Sequence, residues 1–311
     1  MKITLRQLAV FDAVARLASV SGAAREVHLS QSAASLALQE LERNLGGELF
    51  HRHRRKLALN ENGRRLQPLV RSVLTLGHEI EGTEGSLSGV LRIAASPTIG
   101  NYVMPEICAR FLAANPNVQL KLTVADEPAI IESTEDLAFD IGFIEGTSMR
   151  HMLMVEPWLT DELLVVASPS HWAAARPIAM SDLSNESWYL QPIGAATRHH
   201  FTQPYSALLG SHTIRFESNS IESIIRAVEA GSGVACLSRI AVADELRRRR
   251  LTSLCVKAFQ ITRTFKMIYR RDVYKGRAHA AFLEEARRAA GRDLLSSKSP
   301  GQETSAEDRF Q

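Results

Sequence analysis

Apolar residues recur every three or four positions in three successive segments of the first 50 residues. This spacing predicts three amphipathic helices that share one core. The first helix is expected over residues 4–17, with Thr4 as its cap. The repeat is interrupted at His28-Leu29-Ser30, and Ser30 can cap the third helix because its hydroxyl accepts from the free amides of the next turn. The positions expected to face inward are Leu5, Leu8, Phe11, Val14, Val20, Ala23, Ala24, Val27, Ala34, Leu38, Leu41 and Leu45.

The third predicted helix carries short polar side chains on the side opposite its apolar positions. Near the start of a helix, such side chains can approach base edges in the major groove of DNA. The spacing of the two helices is equally that of a helical hairpin inside a larger core, so this segment alone leaves both interpretations open. The residues that would contact DNA from this helix are Ser30, Gln31, Ser32, Ser35 and Gln39.

A short basic ribbon follows the helix pair and favours the DNA-binding interpretation. Residues 50–59 are basic between two apolar ends. From residue 51 to residue 71 there are seven Lys and Arg residues and one acidic residue, Glu61, in a chain whose net charge is +3. Most charged runs are simply solvated, but this one lies where a β-wing would reach the DNA backbone. Arg52, Arg54 and Arg55 are therefore expected to bind phosphates.

A long helix is expected from Asn60 to Glu84. Its apolar residues are spaced by three, four, three and four positions, which is the pattern of a coiled-coil seam. Pro68 lies within the helix, where it removes one backbone hydrogen bond and predicts a kink. The seam predicts a dimer, although it could also pack against the chain's own body. The seam residues are Leu66, Leu69, Val73, Leu76 and Ile80.

Many residues of the first 63 positions match one family pattern in order. They are Leu5-Arg6-Gln7-Leu8, Phe11, Ser21, Ala23-Ala24, Leu29-Ser30-Gln31-Ser32-Ala33, Ser35, Leu41-Glu42, Leu45-Gly46, Leu49-Phe50, Arg52, Leu59 and Gly63. On these residues the chain resembles the LysR-type transcriptional regulators, and a long ordered series is more specific than one short motif. Two positions depart from the pattern. Leu36 stands where the family often has Arg, and Asn60 stands where it usually has Thr.

The resemblance implies what the chain binds. It implies double-stranded DNA as a partner, with two DNA-binding domains joined through the long helix. The operator would be near-palindromic, with half-sites about one helical turn apart. The resemblance also implies a tetramer and control of the chain's own gene or of a divergent gene.

From residue 90 onward, predicted strands alternate with predicted helices, which implies parallel sheet with right-handed crossovers. Residues 82–89, rich in Gly and Ser, predict a flexible linker before this region. The pattern indicates two small Rossmann-like subdomains, and the chain crosses between them near Thr160-Asp161 and Arg263-Thr264. This arrangement resembles the effector domain of the same family, which has the fold of periplasmic binding proteins and can close around a ligand.

The predicted architecture is thus a winged helix-turn-helix (all-α with a β wing), a long linker helix, and an α/β effector domain of two Rossmann-like subdomains. The expected boundaries are 1–60 for the DNA-binding domain, 61–89 for the dimerisation helix and hinge, and 90–292 for the effector domain. Subdomain I would take 90–160 and 265–292, and subdomain II would take 161–264. Residues 293–311, polar with Pro and Gly, are expected to be disordered.

Hydroxyl groups gather where predicted strands of the effector domain lead into helices. Ligands of open α/β sheets bind at these carboxyl ends, where helix amides are free. Each hydroxyl alone is more often a helix cap, but three such turns at one cleft predict a small polar ligand. Glu145 complicates an anion site, since it could repel an anion, bind an amine, pair with Arg198 or cap a loop. The candidate effector-binding residues are Ser96, Thr98, Gly100, Asn101, Glu145, Thr197, Arg198, Ser218 and Asn219.

Small hydroxyl and amide groups suit a compact oxyanion or carboxylate rather than a large aromatic ligand. Within the family, the segments 96–102 and 141–146 resemble those of regulators of sulfur and cysteine metabolism. The resemblance therefore implies a small anion, with a sulfur oxyanion such as sulfite as the first expectation.

The composition excludes several other classes of protein. The 311 residues are 45% hydrophobic and 23% charged, and no apolar run approaches the ~18 residues of a membrane span. No secretory signal is visible, so a cytoplasmic protein is expected. Three widely spaced cysteines, Cys108, Cys236 and Cys255, fit neither a disulfide framework nor a zinc site. No enzyme, cofactor or metal is expected. The competing interpretation is a metabolite-binding or enzymatic α/β protein whose N-terminal helices serve only assembly.

Overall fold

The computed structural model describes residues 2–53, 56–81, 86–146, 150–205, 214–231 and 233–291. Arg54 and Arg55 of the predicted wing lie outside these ranges, as do residues 82–85 of the predicted linker and the predicted disordered tail. The side chain of Arg52 is not described either. Among the described residues, no helix is both long enough and apolar enough to span a membrane.

The N-terminal domain is a three-helix core followed by a two-stranded wing. Its elements are α1 (Leu5–Leu17), α2 (Val20–Glu26), α3 (Gln31–Leu45), β1 (Phe50–His53) and β2 (Lys56–Leu59), and the two strands pair antiparallel. Phe11 of α1 is fully buried, and its ring lies 5.5 Å from the ring of Phe50. The wing is therefore anchored on the helical core through its first residue.

Capping residues predicted from the sequence set where these helices begin. Thr4 and Gln7 form a capping box, in which the Thr4 hydroxyl accepts from the Gln7 amide at 3.3 Å and the Gln7 side chain accepts from the Thr4 amide at 2.9 Å.

Two of the residues predicted to face the core of this domain are exposed instead. Leu5 and Leu45 are 51% and 41% exposed, because they lie in terminal turns beyond the edge of the core.

A long helix, α4 (Glu61–Glu81), leads away from the wing and continues past Pro68. Asn60 caps it as expected, since its Oδ1 accepts from the amide of Gly63 at 2.9 Å. Gly63 allows the close approach of α4 to the wing, because a Cβ at this position would lie 2.3 Å from the carbonyl oxygen of Leu49. The glycine of the family pattern therefore has a steric role here.

The seam predicted on α4 is open over most of its length. Leu69, Val73, Leu76 and Ile80 are 64%, 41%, 43% and 84% exposed. Leu66 differs from this prediction, because it is half-buried and packs against the core of the N-terminal domain.

The rest of the chain builds one mixed sheet flanked by helices. Its strands are β3 (Gly89–Ala95), β4 (Val118–Val124), β5 (Ile141–Ile144), β6 (Leu153–Ala167), β7 (Trp188–Leu190), β8 (Ile214–Glu217), β9 (Val234–Ser238), β10 (Thr252–Ser253) and β11 (Ile261–Arg270). Its helices are α5 (Pro97–Tyr102), α6 (Met104–Ala114), α7 (Glu127–Glu135), α8 (Ala196–Tyr205), α9 (Ile221–Glu229), α10 (Arg239–Arg247) and α11 (Arg277–Gly291). The strand order is β4-β3-β5-β11-β6-β9-β7-β8, with β10 paired to β6.

Two long antiparallel strands, β6 and β11, run through both halves of this sheet. One half has its core around Phe143 and Phe282, and the other has its core around Trp188 and Phe201. β6 begins at Leu153 and includes Pro157. The register of β11 shifts opposite this proline, and a proline is tolerated at such an irregularity.

Candidate DNA interface and effector cleft

The third helix of the N-terminal domain has one buried side and one open side. Ala34, Leu38 and Leu41 are buried in the core of the domain. On the opposite side Gln31, Ser32, Leu36 and Gln39 are exposed, and Ser35 is half-buried. A helix that reads the major groove needs such an open polar side. The 54% exposed Leu36 adds an apolar group that can contact a thymine methyl where the family often has Arg.

Ser30 acts as a helix cap, whatever else it contacts. Its hydroxyl accepts from the amide of Ala33 at 3.2 Å and lies 3.0 Å from the hydroxyl of Ser32. In the wing, Arg52 pairs with Leu57 across the hairpin through the backbone. The contacts of Ser30 and of the wing arginines with DNA stay predictions.

A buried arginine joins the two halves of the domain that follows α4. Arg263 on β11 lies opposite Asp161 on β6, and its Nε lies 2.9 Å from Asp161 Oδ2. Its Nη1 donates to Glu145 Oε2 and, at 3.0 Å, to Thr197 Oγ1, while Nη2 approaches Thr98 Oγ1 at 3.5 Å. Glu145 and Thr98 belong to one half and Thr197 to the other, so one guanidinium group contacts both halves of the sheet where the cleft was predicted.

The two carboxylates beside Arg263 are held by further hydroxyls. Ser96 donates to Glu145 Oε1 at 2.7 Å, and Ser238 donates to Asp161 Oδ1 at 2.9 Å. Burial raises the pKa of Asp161, and the charge of Arg263 opposes this shift. One cation faces two carboxylates, so a proton on Asp161 would make the cluster neutral. Glu145 thus pairs with Arg263, not with Arg198.

The hydrogen bonds of this cluster determine what its hydroxyls can offer a ligand. Thr98 and Thr197 both accept from Arg263, so the single hydrogen of each hydroxyl remains to be donated. Ser96 instead donates its hydrogen to Glu145. Two threonine donors, polarised by one guanidinium group, suit a ligand with several acceptor oxygens.

The remaining residues predicted for the first wall of the cleft have different surroundings. Gly100 is buried, and a Cβ at this position would lie 2.7 Å from Val124 Cγ2, so close packing explains the glycine. Asn101 follows it on α5 and is exposed.

In the second half, Arg198 is buried and donates to the carbonyl oxygen of Gln191 at 2.9 Å. Ser218 and Asn219 lie before α9, where the Ser218 hydroxyl accepts from the Ser220 amide at 3.1 Å. No described contact links Ser218 or Asn219 to Arg263. The roles of Gly100, Asn101, Arg198, Ser218 and Asn219 in ligand binding stay predictions.

Arg263 and Asp161 were not among the predicted site residues, although the sequence carries a signal for both. Strand alternation places Arg263 on the same face as the buried Phe265, and Asp161 on the same face as the buried Leu159 and Leu163. A charge on the core face of a strand needs a buried partner. Strand periodicity could have identified both residues as buried charges. It could not have shown that they are partners of each other.

Two family models match the chain. The model described as the bacterial regulatory helix-turn-helix protein, lysR family, matches residues 5–64. The model described as the LysR substrate binding domain matches residues 84–291. Together they span both the helix-turn-helix and the buried cluster around Arg263.

Known proteins agree with these matches. The HTH-type transcriptional regulator YeiE of Escherichia coli is 37% identical over 288 residues, 91% of this chain and 97% of that protein. The RuBisCO operon transcriptional regulator of Allochromatium vinosum is 32% identical over 91% of this chain and 95% of that protein. The regulator CysL of Bacillus subtilis is 29% identical over 84% of this chain and 89% of that protein.

A solved structure shows the same fold at lower identity. A full-length variant of OxyR from Pseudomonas aeruginosa has a TM-score of 0.71 and 20% identity, over 93% of this chain and 97% of that chain. The two family models and the related transcriptional regulators, rather than this fold likeness, set aside the competing interpretation of a metabolite-binding or enzymatic protein with assembly helices. The chain belongs to the LysR family of bacterial DNA-binding transcriptional regulators, with a ligand-binding effector domain.

Proposed function

We propose that two copies of the chain read a near-palindromic operator through α3 and the wing, and that a small anion in the effector cleft modulates this binding. The observation that carries the ligand proposal is the pair of threonine hydroxyls that accept from Arg263 and keep their hydrogens for a ligand. The open polar side of α3 supports the DNA proposal.

On DNA, Gln31, Ser32 and Ser35 would contact base edges near the start of α3, with Gln39 one turn further along. Arg52, Arg54 and Arg55 would bind phosphates beside the groove. Base contacts carry sequence information, whereas phosphate contacts set affinity and position. Substitutions on α3 should therefore change which sites are bound, and substitutions in the wing should weaken binding at all sites.

For the ligand, a sulfur oxyanion such as sulfite is our first candidate. Its oxygens would accept from Thr98 and Thr197, and Arg263 would supply positive charge behind both hydroxyls. Likeness to CysL supports this choice only weakly, at 29% identity. The ligand would act by changing the closure of the two halves, and so the angle between the DNA-binding domains.

The exposed seam of α4 supports dimerisation through this helix, and we extend the proposal to a tetramer on the basis of the family resemblance. The proposed boundaries remain 1–60, 61–89 and 90–292, with the effector domain divided at residues 160–161 and 264–265. Since the partner is chromosomal DNA, we place the protein in the cytoplasm.

Genome-wide capture of DNA by the purified protein tests the DNA proposal. The wild type should recover a small set of sites that share an inverted repeat. Ser35→Ala should lose that shared sequence, and Arg52→Ala should weaken capture at all sites. The matched controls are Ser181→Ala and Arg247→Ala, at exposed positions of the effector domain. Diffuse, strongly salt-sensitive capture without a common sequence would contradict the proposal.

Calorimetric titration of the full-length protein with sulfite, with sulfate and phosphate for comparison, tests the ligand proposal. Thr98→Ala combined with Thr197→Ala should weaken sulfite binding about tenfold or more, because each removes a hydrogen bond to a charged group. Thr123→Ala, at an exposed threonine of the same domain, should leave it unchanged. Unchanged affinity in the double variant would reject the cleft site, and operator binding indifferent to every anion would indicate a vestigial cleft.

A further inference from the structure

Six charged residues form a closed ring of contacts, one of them through a backbone amide, where the DNA-binding domain, α4 and the effector domain meet. In order around the ring they are Asp12, Arg16, Glu26, Arg92, Asp140 and Arg71, which returns to Asp12. The first three belong to the DNA-binding domain, Arg71 belongs to α4, and Arg92 and Asp140 belong to the effector domain. The ring therefore links three parts of the chain with three cations and three anions.

The contacts around the ring are short. Arg16 lies 3.0 Å from Asp12, and Arg71 lies 3.1 Å from Asp12 and 3.3 Å from Asp140. The Arg92 side chain lies 3.4 Å from Glu26, and its backbone amide donates to Asp140 Oδ2 at 2.7 Å.

The ring forms one wall of a cavity of about 520 Å³ at this junction. Residues of α1, α2 and α4 line one side, and residues of β3 and the segment 270–279 line the other. Cavities of roughly 300–1,000 Å³ hold small ligands in proteins. The cavity lies apart from the cleft, since neither Arg263 nor the two threonines line it.

Positive charge is in excess around this cavity, with seven lining side chains from Lys and Arg and four from Asp and Glu. The ring cations and anions compensate each other, Arg270 pairs with Asp272, and Glu79 accepts from the hydroxyl of Tyr274 and the amide of Arg277. Three lining cations form no ion pair with any described residue: Arg6, Lys275 and Arg277. Burial lowers the pKa of Arg92, and the charges of Arg16 and Arg71 lower it further.

Two buried acceptor atoms at the cavity lack a hydrogen-bond partner among the described residues. Asp12 is 4% exposed, and its Oδ1 has only the ion pair with Arg71. His279 Nε2 lies 3.3 Å from the carbonyl oxygen of Asp140 and donates to it, which leaves Nδ1 as a buried lone pair. An anion alone would satisfy neither atom, whereas an O–H or N–H donor would satisfy one of them.

We propose that this junction cavity is a second effector site, and that it binds a small hydroxy- or amino-carboxylate. Lys275, Arg277 and Arg6 bind the carboxylate groups, and Asp12 or His279 accepts from the hydroxyl or ammonium group. Such a ligand contacts α1 of the DNA-binding domain and the effector domain together. Its binding strengthens their contact without passing through the cleft.

Calorimetric titration of the full-length protein with matched acid pairs tests the proposal. The hydroxy and amino acids are citrate, malate and glutamate, and their partners without the donor are tricarballylate, succinate and glutarate. At least one of the first three should bind saturably, and its partner should bind about fivefold or more weakly, as expected for a lost hydrogen bond in a buried site. The proposal would be overturned if none of the three acids bound saturably, or if the two members of every pair bound with equal affinity.

Variants at lining cations show whether the binding depends on this cavity. Lys275→Gln combined with Arg277→Gln should weaken the binding of the acid about tenfold or more. Arg247→Gln combined with Arg248→Gln changes the net charge equally on the exposed end of α10 and should leave affinity within about twofold. Equal losses in both double variants would mean non-specific charge attraction and would reject the site.

A measurement on the wild type keeps the test decisive if a variant folds poorly. Hydrogen–deuterium exchange should slow on ligand binding in residues 5–17 and 270–279, and not around Thr98 and Thr197. Saturating sulfite should not displace the acid. Protection at the cleft alone, or competition with sulfite, would place the acid in the cleft and reject the junction site, whatever becomes of the sulfite proposal.

Discussion

Arg263 is the residue whose side chain contacts both halves of the effector domain. Its side chain is 1% exposed and lies between Glu145 and Asp161, whose side chains are 3% and 0% exposed. A buried ion pair gives little net stability, because desolvation offsets the attraction between the charges. Removing one partner is costly, however, since the other charges stay buried without compensation.

Replacement of Arg263 by Met is expected to lower the free energy of unfolding by about 3–5 kcal/mol near neutral pH. Burial already raises the pKa of Asp161, and without Arg263 this pKa rises further. A carboxyl with a raised folded pKa binds its proton more tightly when folded, so it destabilises the protein as pH rises from the unfolded pKa through the folded pKa. The decrease in the free energy of unfolding caused by Arg263→Met should therefore be smaller near pH 5 than near pH 8.

Urea unfolding of the wild type and Arg263→Met at both pH values checks this expectation. Arg247→Met, at an exposed arginine of α10, is the matched control and should cost little at either pH. A loss that is small and independent of pH would show that the two carboxylates do not depend on Arg263.

His279 gives a second, opposite pH dependence. Burial lowers its pKa to about 4, so the unfolded chain binds this proton more readily than the folded protein. Its contribution to stability is complete above pH 6.5 and is lost as pH falls toward about 4. His279→Gln should flatten the stability profile in this window, measured by chemical unfolding. His151→Gln, at an exposed histidine, is the control, and an unchanged slope in His279→Gln would contradict the assignment.

At the scale of elements, α4 has two sides with different partners. Val70 and Leu74 pack against the DNA-binding domain, and Arg71 and Thr75 face the junction cavity. The opposite side carries the exposed seam, whose residues fall on one narrow stripe at 100° per residue. A helix that is already packed on one side can use the other for a second copy without rearranging its own domain.

Leu69→Glu combined with Leu76→Glu should convert the oligomer to a monomer, because the charges would be buried at the proposed seam. Sedimentation velocity measures the change. Leu36→Glu is a matched control, since Leu36 is 54% exposed but lies on α3. It should keep the oligomer and impair DNA binding. If the double variant stayed oligomeric, assembly would not depend on this seam.

At the scale of the whole molecule, the six-residue ring joins the DNA-binding domain, α4 and the effector domain. Arg71 also donates to the carbonyl oxygen of Leu137, and Gln67 donates to that of Asp136 at 2.8 Å. α4 is thus tied through polar groups to the loop after α7. Polar interfaces within a chain permit movement more readily than apolar ones do, so this junction is compatible with the domain movement that we propose.

A double-mutant cycle of Asp12→Asn and Arg71→Gln measures the contact between α1 and α4. Both side chains are largely buried, so the coupling energy should be about 1–2 kcal/mol, within the usual range for residues in one network. The comparable cycle on Asp244 and Arg248, which are more than half exposed, should give less than about 0.5 kcal/mol. Chemical unfolding of the single and double variants measures both energies. Equal coupling energies in the two cycles would show that the Asp12–Arg71 pair in the ring is no stronger than an exposed surface pair.

Much of the N-terminal domain could be predicted from local patterns. The capping of α1 by Thr4, of α3 by Ser30 and of α4 by Asn60 rests on atoms three residues apart. Helical periodicity likewise placed Phe11 and Leu41 in the core. The predictions for Leu5, Leu45 and Leu66 were wrong, because periodicity gives the face of a helix but not where the neighbouring elements end.

By itself, then, the sequence determined the helix-turn-helix, the alternation of strands and helices, and the residue types at the cleft, since these depend on interactions between near neighbours. Only the tertiary structure decided that Arg263 would meet Thr98, Glu145 and Thr197, and that Asp12, Arg71 and Asp140 would meet in one ring. Such pairings depend on how the chain crosses between domains. A charged residue needs some buried partner, but nothing in its own segment of sequence specifies which distant residue the fold will bring to it.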